Sequence, residues 1–245
     1  DRLKRLLIAG GLAALVAVPL LSGNAGMRKV DAAQGDVKIN STNFPDEEFR
    51  KYISKNIDRN KDGVLSKSEI KKVTEIRLYT RSKNIYEGPK YYKCKNLTGI
   101  GVFTELQTLE CAWNELTKLD VSKNSKLEYL SCGDNELTKL DVSKNTKLVE
   151  LDCGGNELTK LDVSKNTRLV KLDCGSNKLT KLDVSKNTKL EFVECGRNGI
   201  KELNVSKLTK LKELYCYDNK LTKLDVSKNV KLEILELSLI HISEP

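Results

Sequence analysis

The chain has 245 residues, a formal net charge of +9, 39% hydrophobic and 31% charged residues, and four prolines. This balance excludes a disordered or low-complexity chain and leaves enough apolar material for a packed core. The positive charge alone would suit an anionic partner, so the lysines must be placed before they are interpreted.

The sequence starts at Asp1 instead of methionine, which predicts that it opens inside a longer reading frame. Arg2, Lys4 and Arg5 precede an apolar run from Leu6 to Leu21 that ends in small residues, the layout of a secretory signal peptide. Gly10, Gly11 and Pro19 interrupt the run, which falls short of the about 20 apolar residues that a spanning helix needs. Residues 1–32 are therefore assigned to a signal peptide cleaved after Ala32, with Ala25 as the other option. An exported chain is not expected to meet nucleic acid, and no membrane insertion is expected once the signal is removed.

Residues 33–94 form a different segment. Pro45 can begin a helix without needing a donor, and Phe49, Tyr52, Ile53 and Ile57 follow at helical spacing. The stretch DRNKDGVLSKSE comes next. Asp58, Asn60 and Asp62 stand at its first, third and fifth places, Gly63 at the sixth and Glu69 at the twelfth. Alternate oxygen side chains can converge there on one hard cation. Val64 would lend its carbonyl, Ser66 a water, and Glu69 two oxygens. Ser66 and Glu69 also form a capping box for a second helix, with Ile70, Val73 and Ile76 on its apolar face. The motif resembles the EF-hand and the single loop-helix unit of bacterial dockerins. That resemblance implies Ca2+ held by Asp58, Asn60, Asp62, Val64, Ser66 and Glu69. No second loop follows, so calcium is expected to stiffen the start of the next domain instead of presenting a cohesin-binding pair.

From residue 95 to residue 237 a phrase recurs every 21 residues, in its clearest copy LVELDCGGNELTKLDVSKNT from Leu148 to Thr167. Its copies align on Cys111, Cys132, Cys153, Cys174, Cys195 and Cys216. The pattern resembles leucine-rich repeats, and the LTKLDVSKNT phrase looks like those of secreted bacterial adhesins akin to internalins. The resemblance implies a solenoid of 21-residue coils with short parallel β-strands, preceded by a small helix–calcium loop–helix cap. Leu148, Leu151 and Cys153 would point inward from the strand, with Leu158, Leu161 and Val163 filling the rest. The Asn156 amide would bond the turn backbone in a ladder with Asn135 and Asn177. Too few residues remain for a helical return path, so the convex side is expected to be extended or 3₁₀, with no α-helices in the repeats.

Seven cysteines in an exported chain invite a disulfide reading. Six of them, however, share one slot of the repeat. Parallel strands about 4.8 Å apart would aim their Cβ atoms the same way and not toward each other. Buried free thiols are favoured over neighbouring disulfides, and a zinc site lacks tetrahedral convergence. Cys94 lies outside this register.

The lysines recur at fixed places, such as Lys144, Lys165, Lys186 and Lys228, on the convex return and lateral turns, with Asp120, Asp141, Asp162, Asp183 and Asp225. They read as a solvated face without the aromatic platforms that nucleic acid would need. The concave strand positions vary instead, carrying Glu110, Asp152, Asp173, Glu194 and Glu236 with Tyr129, Phe192, Tyr215 and Tyr217, and with Trp113 and Arg197 beside them. An aromatic-dotted acidic trough has the composition of a recognition surface. Candidate ligand-binding residues are Tyr129, Asp152, Asp173, Phe192, Glu194, Tyr215 and Tyr217.

The sole histidine is His241, in an ending, LSLIHISEP, that breaks the repeat; residues 238–245 are read as foreign to the protein. Serine or cysteine nucleophiles would lack a base, so no enzyme activity is expected. The sequence predicts a secreted or surface-displayed binding module, monomeric in solution, with an extracellular protein or glycan ligand. A targeting or stalk region of a larger surface enzyme and a structural surface-layer component are the alternatives.

Overall fold

A computed structural model describes residues 35–80 and 90–237. The signal-peptide segment 1–32 and the tail 238–245 lie outside the described residues. Chain order is β1 (Val37–Lys38), α1 (Glu47–Asn56), β2 (Val64–Leu65), α2 (Lys67–Lys72), β3 (Glu75–Arg77), β4 (Tyr79–Thr80) and β5 (Lys90–Tyr91). A short 3₁₀ turn, Ile100–Val102, leads to β6 (Thr108–Glu110), β7 (Tyr129–Ser131), β8 (Glu150–Asp152), β9 (Lys171–Asp173), β10 (Phe192–Glu194), β11 (Glu213–Tyr215) and β12 (Ile234–Glu236).

The chain is a leucine-rich-repeat solenoid. Strands β3 and β6 to β12 form one parallel sheet in sequence order, and each pair from β6 onward is offset by one repeat, as in Leu109 beside Leu130 and Leu151 beside Leu172. Among the described residues the repeats contain no α-helix. Inward leucines such as Leu148, Leu151, Leu158 and Leu161 are buried with Val163 and Cys153. Such a coil cannot form an internal backbone ladder on its way round, so side chains must satisfy its turns.

Asparagine does this. Asn156 donates through Nδ2 to the carbonyls of Cys132, Cys153 and Gly154 at 3.0 to 3.1 Å, and its Oδ1 accepts the Leu137 N–H at 2.9 Å. Asn135 and Asn177 repeat the arrangement one coil either way. A second ladder runs along Asn124, Asn145, Asn166, Asn187 and Asn229, each buried. Asn166 there donates to the carbonyls of Val142 and Asn145. Leu208 interrupts this row in one coil and supplies only its carbonyl, to Asn229.

The cap grows out of short helices. Asp46 caps α1 by accepting the Phe49 N–H, and the Ser66–Glu69 capping box starts α2. The α2 helix stops at Lys72, and Ile76 belongs to β3, not to the apolar face of a longer helix. Val73 is already extended, and the β-branched Val73, Thr74 and Ile76 favour a strand that can pair with β6. The solenoid sheet thus begins inside the segment that leads it. Cap and solenoid share one core. Phe44 packs so close to Gly99 that a Cβ there would lie 2.4 Å from its ring, at a backbone φ of +99° that already favours glycine.

Register also explains Cys94. Ile76 pairs with Leu109 at a longer offset than one repeat, because the β4–β5 hairpin is inserted in the first coil. Beyond that insertion the Cys94 N–H donates to Asn114 Oδ1 and its carbonyl accepts from Glu115, as Leu116 does with Asn135 and Glu136 one coil on. Cys94 therefore fills a leucine position. All seven cysteines are free and buried. Burial pushes the thiols of Cys132, Cys153, Cys174 and Cys195 well up, and that of Cys216, in the last coil but one, up to about 11.

Thiol reagents should therefore label native protein slowly, with Cys216 first, and all seven cysteines after unfolding. Mass spectrometry under non-reducing conditions that found neighbouring cysteines linked would contradict this. Cys153→Ser should destabilise by about 1 to 2 kcal/mol, because the only acceptor near Sγ, the Asp173 carbonyl at 3.4 Å, already takes the Cys153 N–H. Chemical denaturation should show Cys153→Ala costing less.

Candidate functional site

Parallel register aligns the outward strand positions into two columns. One runs Thr108, Tyr129, Glu150, Lys171, Phe192, Glu213 and Ile234; the other runs Glu110, Ser131, Asp152, Asp173, Glu194, Tyr215 and Glu236. This is the order read from the repeat.

The acids of the second column have a structural task as well. Asp173 accepts the Gly175 N–H at 3.1 Å and Glu194 the Gly196 N–H at 2.9 Å, while Asp152 accepts the Ser131 hydroxyl at 2.8 Å. Their carboxylates curl over the following turn, and the glycines leave room for them. A Cβ at Gly175 would lie 2.8 Å from Glu194 Oε1. Half-burial raises the Asp173 carboxyl and takes Glu194 up to about 7, with the neighbouring Asp173 and Glu236 charges adding to the Glu194 shift. Backbone hydrogen bonds thus hold the Asp173 and Glu194 carboxyls, which resist ionising together.

The aromatics divide into two groups. Phe192 and Tyr215 meet at 5.5 Å between ring centroids, with the Lys171 ammonium 5.0 Å from the Phe192 ring. Tyr217 lies over Gly196 at the same end and carries Arg197 at 5.9 Å. Tyr129 stands three strands away, about 14 Å at sheet spacing, among Glu110, Glu150 and Asp152. Sequence reasoning passed over Lys171, whose signal was its place in the aromatic column. It also passed over Tyr79 and Tyr91, whose rings lie 6.3 Å apart at the amino-terminal end of the sheet.

The convex face is built otherwise. Asp141, Asp162 and Asp183 each accept the N–H of the serine two residues on, at 2.9 Å, an Asx turn that shapes the return path. The lysines beside them are exposed.

In the cap, the Asp58–Glu69 loop turns at Gly63 with φ of +77°. Asp58 accepts the N–H groups of Lys61 and Gly63, and Asp62 that of Val64. Glu69 accepts from Arg59, from the Ser66 N–H and from the Ser66 hydroxyl, whose bond brings its carboxyl down to about 2. Asp58 and Glu69 are 4% and 9% exposed, and among the described residues neither pairs with a cation. Two buried carboxylates without a counter-charge among the described residues, next to amide, hydroxyl and carbonyl oxygens, fit a hard cation. The loop also pairs Val64 and Leu65 with Lys38 and Val37 of β1. Among the described residues no three His, Cys, Asp or Glu side chains gather as a metal cluster.

Fold and repeat geometry define a leucine-rich-repeat protein. No family model matches the chain, and no curated protein matches it. Among solved structures it is similar to internalin C2 from Listeria monocytogenes, 17% identical over 86% of this chain and 100% of that one, with a TM-score of 0.58. It is also similar to a leucine-rich-repeat protein of Leptospira interrogans, 26% identical over 56% of this chain and 39% of that one, with a TM-score of 0.53. A third is the functional domain of InlJ from Listeria monocytogenes, described as including a cysteine ladder, 26% identical over 84% of this chain and 62% of that one, with a TM-score of 0.36. The chain thus spans less than two thirds of the InlJ domain and of the Leptospira protein.

The Glu194 carboxyl, raised in the folded chain to about 7, binds its proton more tightly there than in the unfolded chain. Its contribution to stability should therefore be complete below the ordinary value of 4.5 and be lost as pH rises through 7. Melting curves should show native protein losing stability across that interval, and Glu194→Gln should flatten this part of the profile. An unchanged profile in the variant would reject the assignment.

Proposed function

We propose that the protein is a secreted or surface-displayed binding module whose concave face recognises an extracellular protein or glycan. The observation that carries this reading is the cluster of Lys171, Phe192, Tyr215, Tyr217 and Arg197 beside the carboxyls of Asp173 and Glu194. Aromatic rings with adjacent charge are the side chains that dominate binding energy at interfaces. They stand on a sheet whose strands are fixed in register, so they are presented with little further ordering cost. Tyr129 adds a separate anchor nearer the cap. The convex face repeats the same lysines and turn aspartates in nearly every coil, which suits a solvated exterior.

The reading is one of binding and not of catalysis. Among the described residues there is no histidine, and burial suppresses thiolate formation at the cysteines. No helix among the described residues is long and apolar enough to cross a membrane. Calcium belongs to the same proposal. Asp58, Asn60, Asp62 and Glu69 side chains, the Val64 carbonyl and Ser66 through water would hold it. It would supply positive charge to the two buried carboxylates and stiffen the cap that Asp46 ties to Lys95 and Asn96.

Two measurements test these statements. Binding to mammalian-cell-surface and bacterial cell-wall preparations should fall for the quadruple alanine variant of Tyr129, Phe192, Tyr215 and Tyr217, each anchor costing about 1 to 2 kcal/mol. It should persist when Lys144, Lys165, Lys186 and Lys228 become glutamine. The opposite outcome would place function on the convex side. Calorimetric titration with calcium should show one site and a raised melting temperature, and Glu69→Ala should abolish the calcium response. Neither heat nor a melting shift at about 10 mM, well above the weak extracellular range, would exclude the site.

A further inference from the structure

Asparagine is a labile side chain, and a glycine after it leaves the next backbone nitrogen unshielded because there is no Cβ. Asn198–Gly199 is the sole such pair in the chain. It falls in the first ladder, where elsewhere a side chain follows the asparagine, as Glu157 follows Asn156 and Lys178 follows Asn177. Folding does not require this glycine. A Cβ at Gly199 would meet the Leu179 carbonyl oxygen at 3.4 Å and the Thr180 methyl at 3.8 Å, which are ordinary contacts, and the backbone there is not left-handed.

The coil that carries the pair is also short of ties to the coil before it. Asn187 of the second ladder donates to the carbonyls of Val163 and Asn166. One coil on, Leu208 stands in its place and offers no donor to the matching carbonyls of Val184 and Asn187. Among the described residues, the side-chain bonds to backbone that cross from the β9 coil to the β10 coil are those of Asn198. Its Nδ2 donates to the Cys174 carbonyl at 3.1 Å, and its Oδ1 accepts the Leu179 N–H at 2.9 Å. The same Nδ2 serves the carbonyls of Cys195 and Gly196, and the Gly199 N–H donates to the Leu179 carbonyl at 2.7 Å. A joint with fewer ties opens at a lower free energy than its neighbours.

We propose that Asn198 is a deamidation site, gated by opening of the joint between the β9 and β10 coils, and that its conversion keeps that joint open. While the joint is closed, the Asn198 amide is held by its ladder bonds and the Gly199 nitrogen is bonded to Leu179, so the two cannot react. On opening, the Gly199 nitrogen gives its proton to water and attacks Asn198 Cγ. The N–Cγ bond forms, the Cγ–Nδ2 bond breaks, and Nδ2 leaves as ammonia with a proton from water. Water then opens the succinimide ring at either carbonyl, giving aspartate or isoaspartate. In sum a water is consumed and an ammonia released, with no oxidation or reduction. The new carboxylate has no N–H to give, so the carbonyls of Cys174, Cys195 and Gly196 lose a donor and face another acceptor. Lys171 on β9 and Phe192 on β10, 5.0 Å from ammonium to ring, lie on the two sides of this joint, so the change reaches the concave cluster.

The full chain, aged for weeks at body temperature in mildly alkaline buffer, would be followed by peptide mapping with mass spectrometry. Aspartate and isoaspartate should accumulate at position 198 while Asn156 and Asn177 stay intact. Gly199→Ala should slow the conversion about tenfold or more without lowering the melting temperature. Leu208→Asn, which supplies the missing donor, should slow it severalfold. The acidic species, separated from the aged protein by ion exchange, should show the Leu179 and Gly199 amides losing hydrogen-exchange protection ahead of β7 and β8. An intact Asn198, equal conversion at Asn156 or Asn177, or an unchanged rate in Gly199→Ala would overturn the site. An unchanged rate in Leu208→Asn would overturn the gating; if that variant fails to fold, the parent in sub-denaturing urea replaces it, and conversion that does not accelerate there counts the same way. Full protection of the Leu179 amide in the acidic species would overturn the lasting opening of the joint.

Discussion

Satisfying the polar backbone of a short coil is the constraint on which the rest of this structure depends. A 21-residue turn of solenoid pairs its strand and a few turn groups with the neighbouring coils, as in Glu157 N–H to the Leu137 carbonyl, but turn carbonyls such as those of Cys153 and Gly154 need side-chain donors beside an interior of leucine. Asn156, like Asn135, Asn177, Asn198 and Asn219, answers three carbonyls and one N–H. That bonding ties each coil to the one before it, so every repeat must have the same length and phase. Periodicity is a consequence of this geometry.

Once phase is fixed, each position of the repeat meets one environment. The cysteine slot is apolar and narrow, and six thiols lie there protonated and free. The turn aspartates bond the serine two residues on, so the convex phrase is conserved from coil to coil by local geometry. The concave positions escape most of this pressure, and there residue identity changes from coil to coil. Even so, Asp173 and Glu194 bond backbone N–H groups of the next turn, so the charge of the concave face and the turn geometry share the same carboxylates.

The coils, the inward leucines and the first asparagine ladder were legible from spacing, because a period repeated six times leaves little freedom. Three features were not. Cys94 fell outside the cysteine register because it occupies a leucine position, as its N–H bond to Asn114 shows by matching that of Leu116 to Asn135. The extent of α2 depended on Ile76 pairing with β6, a long-range contact that overrides local helical spacing. The asparagine of the SKN phrase in the repeats forms a second ladder, which its lysine-rich surroundings concealed. In the candidate site, column membership could be read directly. Which aromatics touch could not, because Phe192 meets Tyr215 diagonally across two adjacent strands while Tyr129 lies among the Glu110, Glu150 and Asp152 carboxylates and the Ser131 hydroxyl.

Replacing Asn156 with alanine tests the central claim most directly. Chemical denaturation combined with hydrogen exchange would be measured on both proteins. If the ladder sets the coil, the variant should lose about 2 to 3 kcal/mol, since several buried backbone groups are left without partners, and the Leu137 amide should lose protection ahead of the strands. Stability within about 0.5 kcal/mol of the parent, with the Leu137 amide still protected, would show that leucine packing alone holds the solenoid.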